Sequence, residues 1–225
     1  AQAITLSNHF NQALRARVQL RALLVMAEMH RQAGQLDEAR DVLEQAWGYA
    51  EEQARGPLYL LRARIQVDQE NFLSAERAFQ QAQERLEEDG DWRRLGYALV
   101  GEAALLGKRG RGAKRMERLQ RAIASYLRVG ALTSAKPFRE EIGMELLKRG
   151  AAGDGIVHLI AAAESHRADE EYEKSADLET EIARALYQME AFERASTHSN
   201  EATKLYRRGQ HDEPLTLGLL RARLA

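Results

Sequence analysis

The chain has 225 residues, 33 Lys and Arg against 34 Asp and Glu, and no cysteine. This balance excludes a global electrostatic attraction to nucleic acid or to an anionic membrane. The lack of cysteine excludes disulfides, thiolate metal sites and catalytic thiols. Abundant Ala, Leu, Arg, Glu and Gln beside only three prolines predicts an all-α protein. The absence of cysteine suits a reducing compartment, so we expect a cytoplasmic location. No apolar run approaches the roughly 20 residues that a membrane span needs.

The beginning of the chain already has the composition of a helix interior. Ile4–Leu14 is expected to be the second helix of an incomplete repeat unit. Because the first residue is Ala rather than Met, we expect the chain to be excised from a longer protein.

A spacing of small residues begins at Ala27. A turn residue, Gly34, stands seven positions later, and a second small residue, Ala39, stands five positions after it. A large apolar residue, Leu43, follows after four positions, and a third small residue, Ala46, after three more. Two antiparallel helices approach closely only where their side chains are small, so this spacing predicts a helix-turn-helix pair.

The same spacing recurs four times, with steps of 36, 40, 40 and 40 residues between the second small positions. One helix pair cannot bury its apolar face alone, so we expect the pairs to stack. The predicted repeats span 18–53, 56–90, 93–130, 133–168 and 172–209 of a single domain covering 1–225. The later sets are Ala63, Glu70, Ala75, Phe79 and Ala82; Ala103, Gly110, Arg115, Leu119 and Ala122; Gly143, Gly150, Gly155, Leu159 and Ala162; and Ala183, Glu190, Ala195, Ser199 and Ala202.

The pattern resembles the tetratricopeptide repeat (TPR) family over about Val18–Arg208. Family members usually repeat every ~34 residues, and the longer period here is similar to the helical domain of the large ATP-dependent maltose regulator of bacteria and to kinesin light chains. The resemblance implies a right-handed α-solenoid of about five repeats with partial units at both ends. Pro214–Leu224 is expected to be a first helix of a further unit, or a cap.

No catalytic, cofactor or metal site is predicted, and we expect the protein not to be an enzyme. The stretch Gly107–Lys114 is rich in glycine, but Ala113 follows its last glycine where a nucleotide-binding loop needs Lys. The six histidines are scattered without a metal-binding spacing, and the serines lack a nucleophile-elbow motif.

In TPR proteins the first helices line a concave groove, and the resemblance carries this role onto the matching positions here. Tyr59, Tyr97 and Phe138 are expected for the most part in the core or in the packing between repeats, whereas Tyr187 is expected on the inner surface. The predicted groove residues are Arg21, Leu24, Glu28 and Arg31; Leu60, Arg64 and Asp68; Val100, Ala104 and Lys108; Glu140, Met144 and Lys148; and Thr180, Arg184, Tyr187 and Gln188.

Chaperone-binding relatives hold a C-terminal carboxylate with a Lys and Asn pair on their first helices. Such a pair is missing here, so the resemblance does not extend to that ligand. The matching Lys places are occupied by Leu24, Leu60, Val100, Glu140 and Thr180.

Charge is unevenly distributed along the chain. Residues 108–128 contain eight cations and only Glu117 as an anion, whereas residues 164–181 contain eight anions and two cations. Two explanations remain open: solvated faces that neutralise each other, or a docking site for an acidic partner. Helical spacing predicts a basic patch of four neighbouring side chains. They are Arg111, Lys114, Arg118 and Arg121.

We predict a non-catalytic scaffold that binds a peptide or partner protein, and an acidic one at the basic patch, in signalling or regulation. The alternative is a regulatory or effector-sensing arm of a larger bacterial transcription regulator or signalling ATPase. Neither nucleic acid nor membrane is expected as a partner of this segment. Self-association through the repeat ends is also predicted, because apolar residues there lack a covering unit. These residues are Leu6, Phe10, Leu14, Leu217 and Leu220.

Overall fold

The computed structural model describes residues 2–51 and 54–224, with side chains from residue 12 onward. This part of the chain contains eleven α-helices and no strand. The helices are α1 (Gln2–Gln32), α2 (Leu36–Trp47), α3 (Gly56–Asp68), α4 (Phe72–Glu88), α5 (Trp92–Lys108), α6 (Gly112–Arg128), α7 (Leu132–Lys148), α8 (Ala152–Ala168), α9 (Tyr172–Gln188), α10 (Phe192–Gly209) and α11 (Leu215–Leu224). The all-α repeat architecture predicted from the spacing of small residues is confirmed.

The forty-residue period consists of two equal halves. Each helix from α4 to α9 has 17 residues and is followed by a three-residue turn. The middle residue of each turn adopts a left-handed backbone conformation, which lets its own N–H group and that of the next residue bond to carbonyls of the last helical turn. All five predicted turn residues are confirmed at such positions. The left-handed residues are Gly34, Glu70, Gly90, Gly110, Gly130, Gly150, Glu170, Glu190 and Gln210.

The predicted small positions lie at helix crossings. At the crossing of α7 and α8, a Cβ atom added to Gly143 would lie 2.6 Å from Cδ2 of Leu159 and 3.0 Å from the carbonyl oxygen of Gly155. A Cβ atom added to Gly155 would lie 2.8 Å from the carbonyl oxygen of Gly143. The two backbones therefore touch, and a side chain at either glycine would separate them.

The chain divides into two compact units, residues 1–125 and 126–225, and the division falls within α6. In the first unit, α1, α2 and α3 enclose an apolar core around Leu43 and Leu58. In the second unit, α8 and α9 enclose a core around Leu159 and Ile182. In the first unit each helix from α1 to α4 packs against the next one along the chain, and in the second unit each helix from α7 to α10 does so, as expected of stacked repeats.

The separate helix predicted over Ile4–Leu14 is wrong. The backbone of α1 is helical without a break for 31 residues, because no Gly or Pro interrupts the sequence between Leu14 and Leu20. Burial in α1 begins only at Leu20, whereas Leu14 and Val18 are exposed. The side chains of Leu6 and Phe10 lie outside the described residues. The helix predicted after Pro214 is confirmed as α11.

We expect Glu190→Gly to stabilise the protein. Glu190 has a φ of 60°, a conformation that costs an L-residue about 1–2 kcal/mol and glycine almost nothing. The larger entropy of glycine in the unfolded chain offsets part of this gain, so the net effect should be about 0.5–1 kcal/mol. Gly150→Ala is the matched reverse change, since a Cβ atom there would meet no atom within 4 Å. Gly150→Ala should lower the melting temperature, whereas Glu190→Gly should raise it. Melting temperatures that change in the same direction in both variants would contradict this expectation.

We expect Gly143→Ala to destabilise the protein by about 1–3 kcal/mol, because the added methyl group would force α7 and α8 apart. The control is Gly153→Ala in α8, where a Cβ atom has open space around it. That change should be neutral or stabilising by up to about 1 kcal/mol, as helix propensity alone predicts. Thermal melts that rank the two variants in the opposite order would show that the crossing is placed wrongly.

Candidate partner-binding cleft

An apolar cleft runs across the first helices of unit 1. It has a volume of about 560 Å³ and lies between α1, α3 and α5. Three of its residues occupy the same place in successive repeats: Leu24, Leu60 and Val100. Each is half-buried, so one side of the side chain packs on its own repeat and the other faces the cleft. The complete lining is Leu24, Glu28, Pro57, Leu60, Leu61, Arg64, Arg94, Tyr97, Val100 and Gly101.

The floor of the cleft is shaped by the packing of α5 on the helix before it. A Cβ atom on Gly101 would lie 2.6 Å from Cε1 of Phe79 in α4, so only glycine allows this approach. Tyr97 stands one helical turn before Gly101 and is 49% exposed. Tyr97 is therefore not a core residue. Its ring forms a wall of the cleft instead.

Charged groups at one end of the cleft are paired with each other. Arg31 donates hydrogen bonds to Glu28 at 2.9 Å and to Asp68. Glu28 also lies 3.0 Å from the guanidinium of Arg64 and accepts a 2.8 Å hydrogen bond from Gln32. This network links α1 to α3, so four predicted groove residues, Glu28, Arg31, Arg64 and Asp68, are brought together as a cross-repeat ion cluster.

The network determines the protonation of its members. Burial acts to raise the pKa of Glu28, but hydrogen bonds from Arg31 and Gln32 and the charge of Arg64 outweigh it and lower that pKa. The hydrogen bond to Glu28 raises the pKa of Arg31 above its usual value. Both groups are therefore charged at neutral pH, and each already has its counter-ion.

Arg94 at the opposite rim is also neutralised locally. The side chain of Asp91 caps the N-terminus of α5 by accepting the backbone N–H of Arg94 at 3.1 Å, and it accepts a second bond from the guanidinium at 2.5 Å. The open part of the cleft therefore offers apolar surface, while its ionic rim is internally balanced.

Five residues of this cleft were missed from the sequence: Pro57, Leu61, Arg94, Tyr97 and Gly101. All belong to first helices, but they stand away from the repeat places carried over from TPR proteins. Of the remaining predicted residues in unit 1, Arg21, Ala104 and Lys108 are exposed outside the cleft lining.

In unit 2, most of the matching first-helix residues are engaged in packing or ion pairs. Thr180 was expected on the inner surface, but it is only 4% exposed. Its hydroxyl donates a hydrogen bond to the carbonyl of Ala176, and its side chain contacts Tyr206. Tyr187 was also expected there, but its ring packs edge-on against Phe192, with centroids 5.4 Å apart. The inner-surface prediction is therefore wrong for Thr180. Tyr187 is half-buried, and Phe192 covers part of its ring.

The other predicted residues of unit 2 are more varied in their surroundings. Glu140 bonds to the buried ring of His166, and Met144 packs against the unit 2 core. Arg184 pairs with Glu181 at 2.8 Å, whereas Lys148 and Gln188 are exposed.

The predicted basic patch is largely neutralised by carboxylates of the preceding helices. Arg111 lies 2.9 Å from Glu76, and Arg121 lies 3.5 Å from Glu87. Of the four predicted patch residues, Lys114 is the one with no ion pair to the described residues, and it is exposed.

Arg118 is not part of an exposed patch at all. Its side chain is 18% exposed, and its Nε donates a 2.7 Å hydrogen bond to Glu102, whose side chain is almost completely buried. Gln83 donates a second hydrogen bond to the same carboxylate at 2.6 Å. Burial acts to lower the pKa of Arg118, but its bonds to Glu102 and Glu117 raise that pKa overall. Arg118 is therefore the counter-ion of a buried carboxylate.

The described residues contain no group of three or more His, Asp or Glu side chains placed to hold a metal ion. None of the described helices has the length and apolar character needed to cross a membrane.

Comparison with solved structures identifies the architecture as that of TPR proteins. A signal transduction ATPase with numerous domains and a tetratricopeptide repeat sensor, from Pyrococcus horikoshii, superposes with a TM-score of 0.55 at 20% identity, covering 90% of this chain and 30% of that one. Kinesin light chain TPR-like repeats from Podosopora anserina give a TM-score of 0.57 at 16% identity, covering 88% and 98%. YrrB, a TPR protein with an unusual peptide-binding site, gives 0.53 at 18%, covering 93% and 96%.

No protein-family model matches the chain, and no curated protein matches it either. At these identities the structural likeness shows the fold, which is a TPR-like repeat solenoid.

We expect Arg118→Glu to destabilise unit 1 by about 3–5 kcal/mol, because it would leave the buried carboxylate of Glu102 unpaired beside a like charge. Lys114→Glu is the control on the same helix and should change stability by less than about 0.5 kcal/mol. Chemical denaturation of both variants measures the difference. Equal stability of the two variants would mean that Arg118 is a free surface cation.

Proposed function

We propose that this protein is an interaction scaffold that binds an apolar peptide segment of a partner protein in the cleft of unit 1. The observation that carries the proposal is the alignment of Leu24, Leu60 and Val100, one from each of three consecutive first helices, along one open cleft. Its volume of about 560 Å³ and apolar lining are typical of ligand sites in proteins.

The chemistry of the cleft favours an elongated apolar ligand over a charged one. Glu28, Arg64 and Arg94 already have counter-ions, so a charged ligand would have to displace an existing ion pair. An apolar side chain on the floor would instead remove Leu60, Val100 and Tyr97 from water at a gain of about 25 cal/mol per Å² buried. Peptides recognised by helical grooves use this mode, with apolar anchors in the groove and polar residues at its edge. YrrB, which shares the fold, is described as having a peptide-binding site.

A second function, a sensor arm in a larger signalling ATPase, is favoured by one comparison. The tetratricopeptide repeats of the Pyrococcus horikoshii ATPase are described as a sensor, and this chain covers 30% of that protein. Both functions use the cleft to recognise a partner, and they differ in whether binding is transmitted to an attached catalytic domain.

We expect peptides selected from a random display library on the purified chain to bind in this cleft. Leu60→Asp or Val100→Asp should weaken a selected peptide about tenfold or more, because each places a carboxylate on the apolar floor. Leu73→Asp in α4, where the side chain is 65% exposed, is the control and should leave affinity unchanged. Fluorescence anisotropy gives the affinities, and melting curves establish that the variants are folded.

Two results would contradict the proposal. One is a library that yields no binding peptide. The other is a selected peptide whose affinity responds to Leu73→Asp and not to the two cleft variants.

A further inference from the structure

The turn that joins α5 to α6 concentrates positive charge. Residues 107–116 contain five cations and no anion, and this segment is called the basic turn below. Its cations are Lys108, Arg109, Arg111, Lys114 and Arg115. Like charges this close together repel each other unless carboxylates lie nearby. The ion pairs of each cation therefore decide how much charge the basic turn presents to a partner.

One carboxylate of the preceding repeat neutralises part of the basic turn. Glu76 of α4 accepts hydrogen bonds from Arg109 at 2.5 Å and from Arg111 at 2.9 Å. A single negative charge thus serves two cations and holds both arginines beside the turn. Lys108 and Lys114 are exposed, and neither forms an ion pair with the described residues.

The other charged residues of the segment are engaged within the chain. Arg115 lies across Gly107, since a Cβ atom there would be 3.2 Å from the Cδ and Nε atoms of Arg115. Glu117, the next anion along α6, pairs with Arg118 at 2.7 Å. Without Arg115, the basic turn has four cations and one carboxylate partner, which leaves an excess of three positive charges.

The cations at the start of α6 oppose the preferences of a helix. A helix N-terminus carries partial positive charge, which favours acidic residues in the first turn. The first turns of α2, α8 and α10 contain acidic residues, whereas that of α6 contains none and has Lys114 instead. Arg111 directly precedes α6 and has no side-chain acceptor that could cap the helix. Helix stability therefore does not account for these cations, and recognition of a partner does.

The chemistry of the basic turn favours carboxylates over phosphates. Arg109 and Arg111, whose planar guanidinium groups could clamp a phosphate, are already bonded to Glu76. The two unpaired cations are lysines, which are point charges on flexible stems and need no fixed geometry in a ligand. Residues 107–116 contain no aromatic side chain on which a nucleobase could stack. A run of Asp and Glu side chains fits this surface.

We propose that the basic turn binds an acidic segment, rich in Asp and Glu, of a partner protein. Lys108 and Lys114 provide the attraction, and the excess charge on the Arg109 and Arg111 pair adds to it. None of these four residues lines the apolar cleft of unit 1, so the two binding surfaces are separate.

A second copy of the chain is a weaker candidate for this partner. The acidic turn at residues 87–91 would be its complement, but most of its carboxylates already have counter-ions. Glu87 pairs with Arg121, Glu88 with Arg85, and Asp91 with Arg94. Binding to the basic turn of another copy would have to compete with these pairs.

A fluorescent octaglutamate peptide tests the proposal on the full chain, with octaglutamine as the uncharged control. Octaglutamate should bind, and octaglutamine should not. The affinity for octaglutamate should fall about tenfold when salt is raised from about 50 to about 200 mM, because exposed charges are screened. Fluorescence anisotropy measures both peptides without any ligand in the cleft, so the result does not depend on the function proposed above.

A double variant locates the peptide. Lys108→Glu combined with Lys114→Glu should weaken octaglutamate binding about tenfold or more, because it replaces attraction by repulsion. The matched control combines Lys148→Glu with Arg194→Glu, which are exposed, form no ion pair with the described residues and change the net charge equally. The control should stay within about twofold, and melting curves establish that both double variants are folded.

Four results would overturn the proposal. The first is absence of octaglutamate binding, and the second is equal weakening by the two double variants. The third is tighter binding of a DNA duplex or of phosphatidylserine vesicles through the same two lysines, which would assign the surface to nucleic acid or to membrane. The fourth is self-association that the Lys108 and Lys114 variant abolishes while octaglutamate does not bind, as measured by sedimentation velocity.

Discussion

The close approach of paired helices at small residues is the constraint on which the rest of this structure depends. Where Gly143 of α7 meets Gly155 of α8, the two helix backbones have no room for a larger side chain. This contact fixes which face of each first helix its own second helix covers. The opposite face is left for neighbouring first helices, and in unit 1 it becomes the wall of the cleft.

The charged side chains around the cleft are paired with each other, so the surface that remains available to a ligand is apolar. Arg31 bonds to Asp68 across 37 residues, and Arg109 bonds to Glu76 across 33, so cations of one repeat meet carboxylates of another. The stability that such partly buried pairs add is limited, because removing the charges from water offsets much of their attraction. Their effect on recognition is larger, because a charged ligand gains little where every charge already has a partner.

The fold could be predicted from the sequence because it rests on local spacing, whereas the site could be predicted only in part. Ala27 and Gly34 fall at fixed distances along the chain, and their roles follow from helix geometry alone. Whether a predicted site side chain is free depends on its contacts with residues of a neighbouring helix, which the spacing does not show. Arg118 was assigned to a patch from its charge, yet it is taken by Glu102, 16 residues away and buried. Thr180 was assigned from its place in the repeat, yet Tyr206 covers it.

Hydrogen exchange measured on the chain with and without a selected peptide tests the central claim, that unit 1 recognises its partner through its first helices. The account predicts slower exchange in α3 and α5, over residues 57–64 and 94–101, because the bound peptide suppresses local opening of the cleft walls. It predicts unchanged exchange rates in the second helices α2 and α4, except at residues that contact α3 or α5. Protection confined to α2 and α4 would contradict the account and place the partner on the opposite surface.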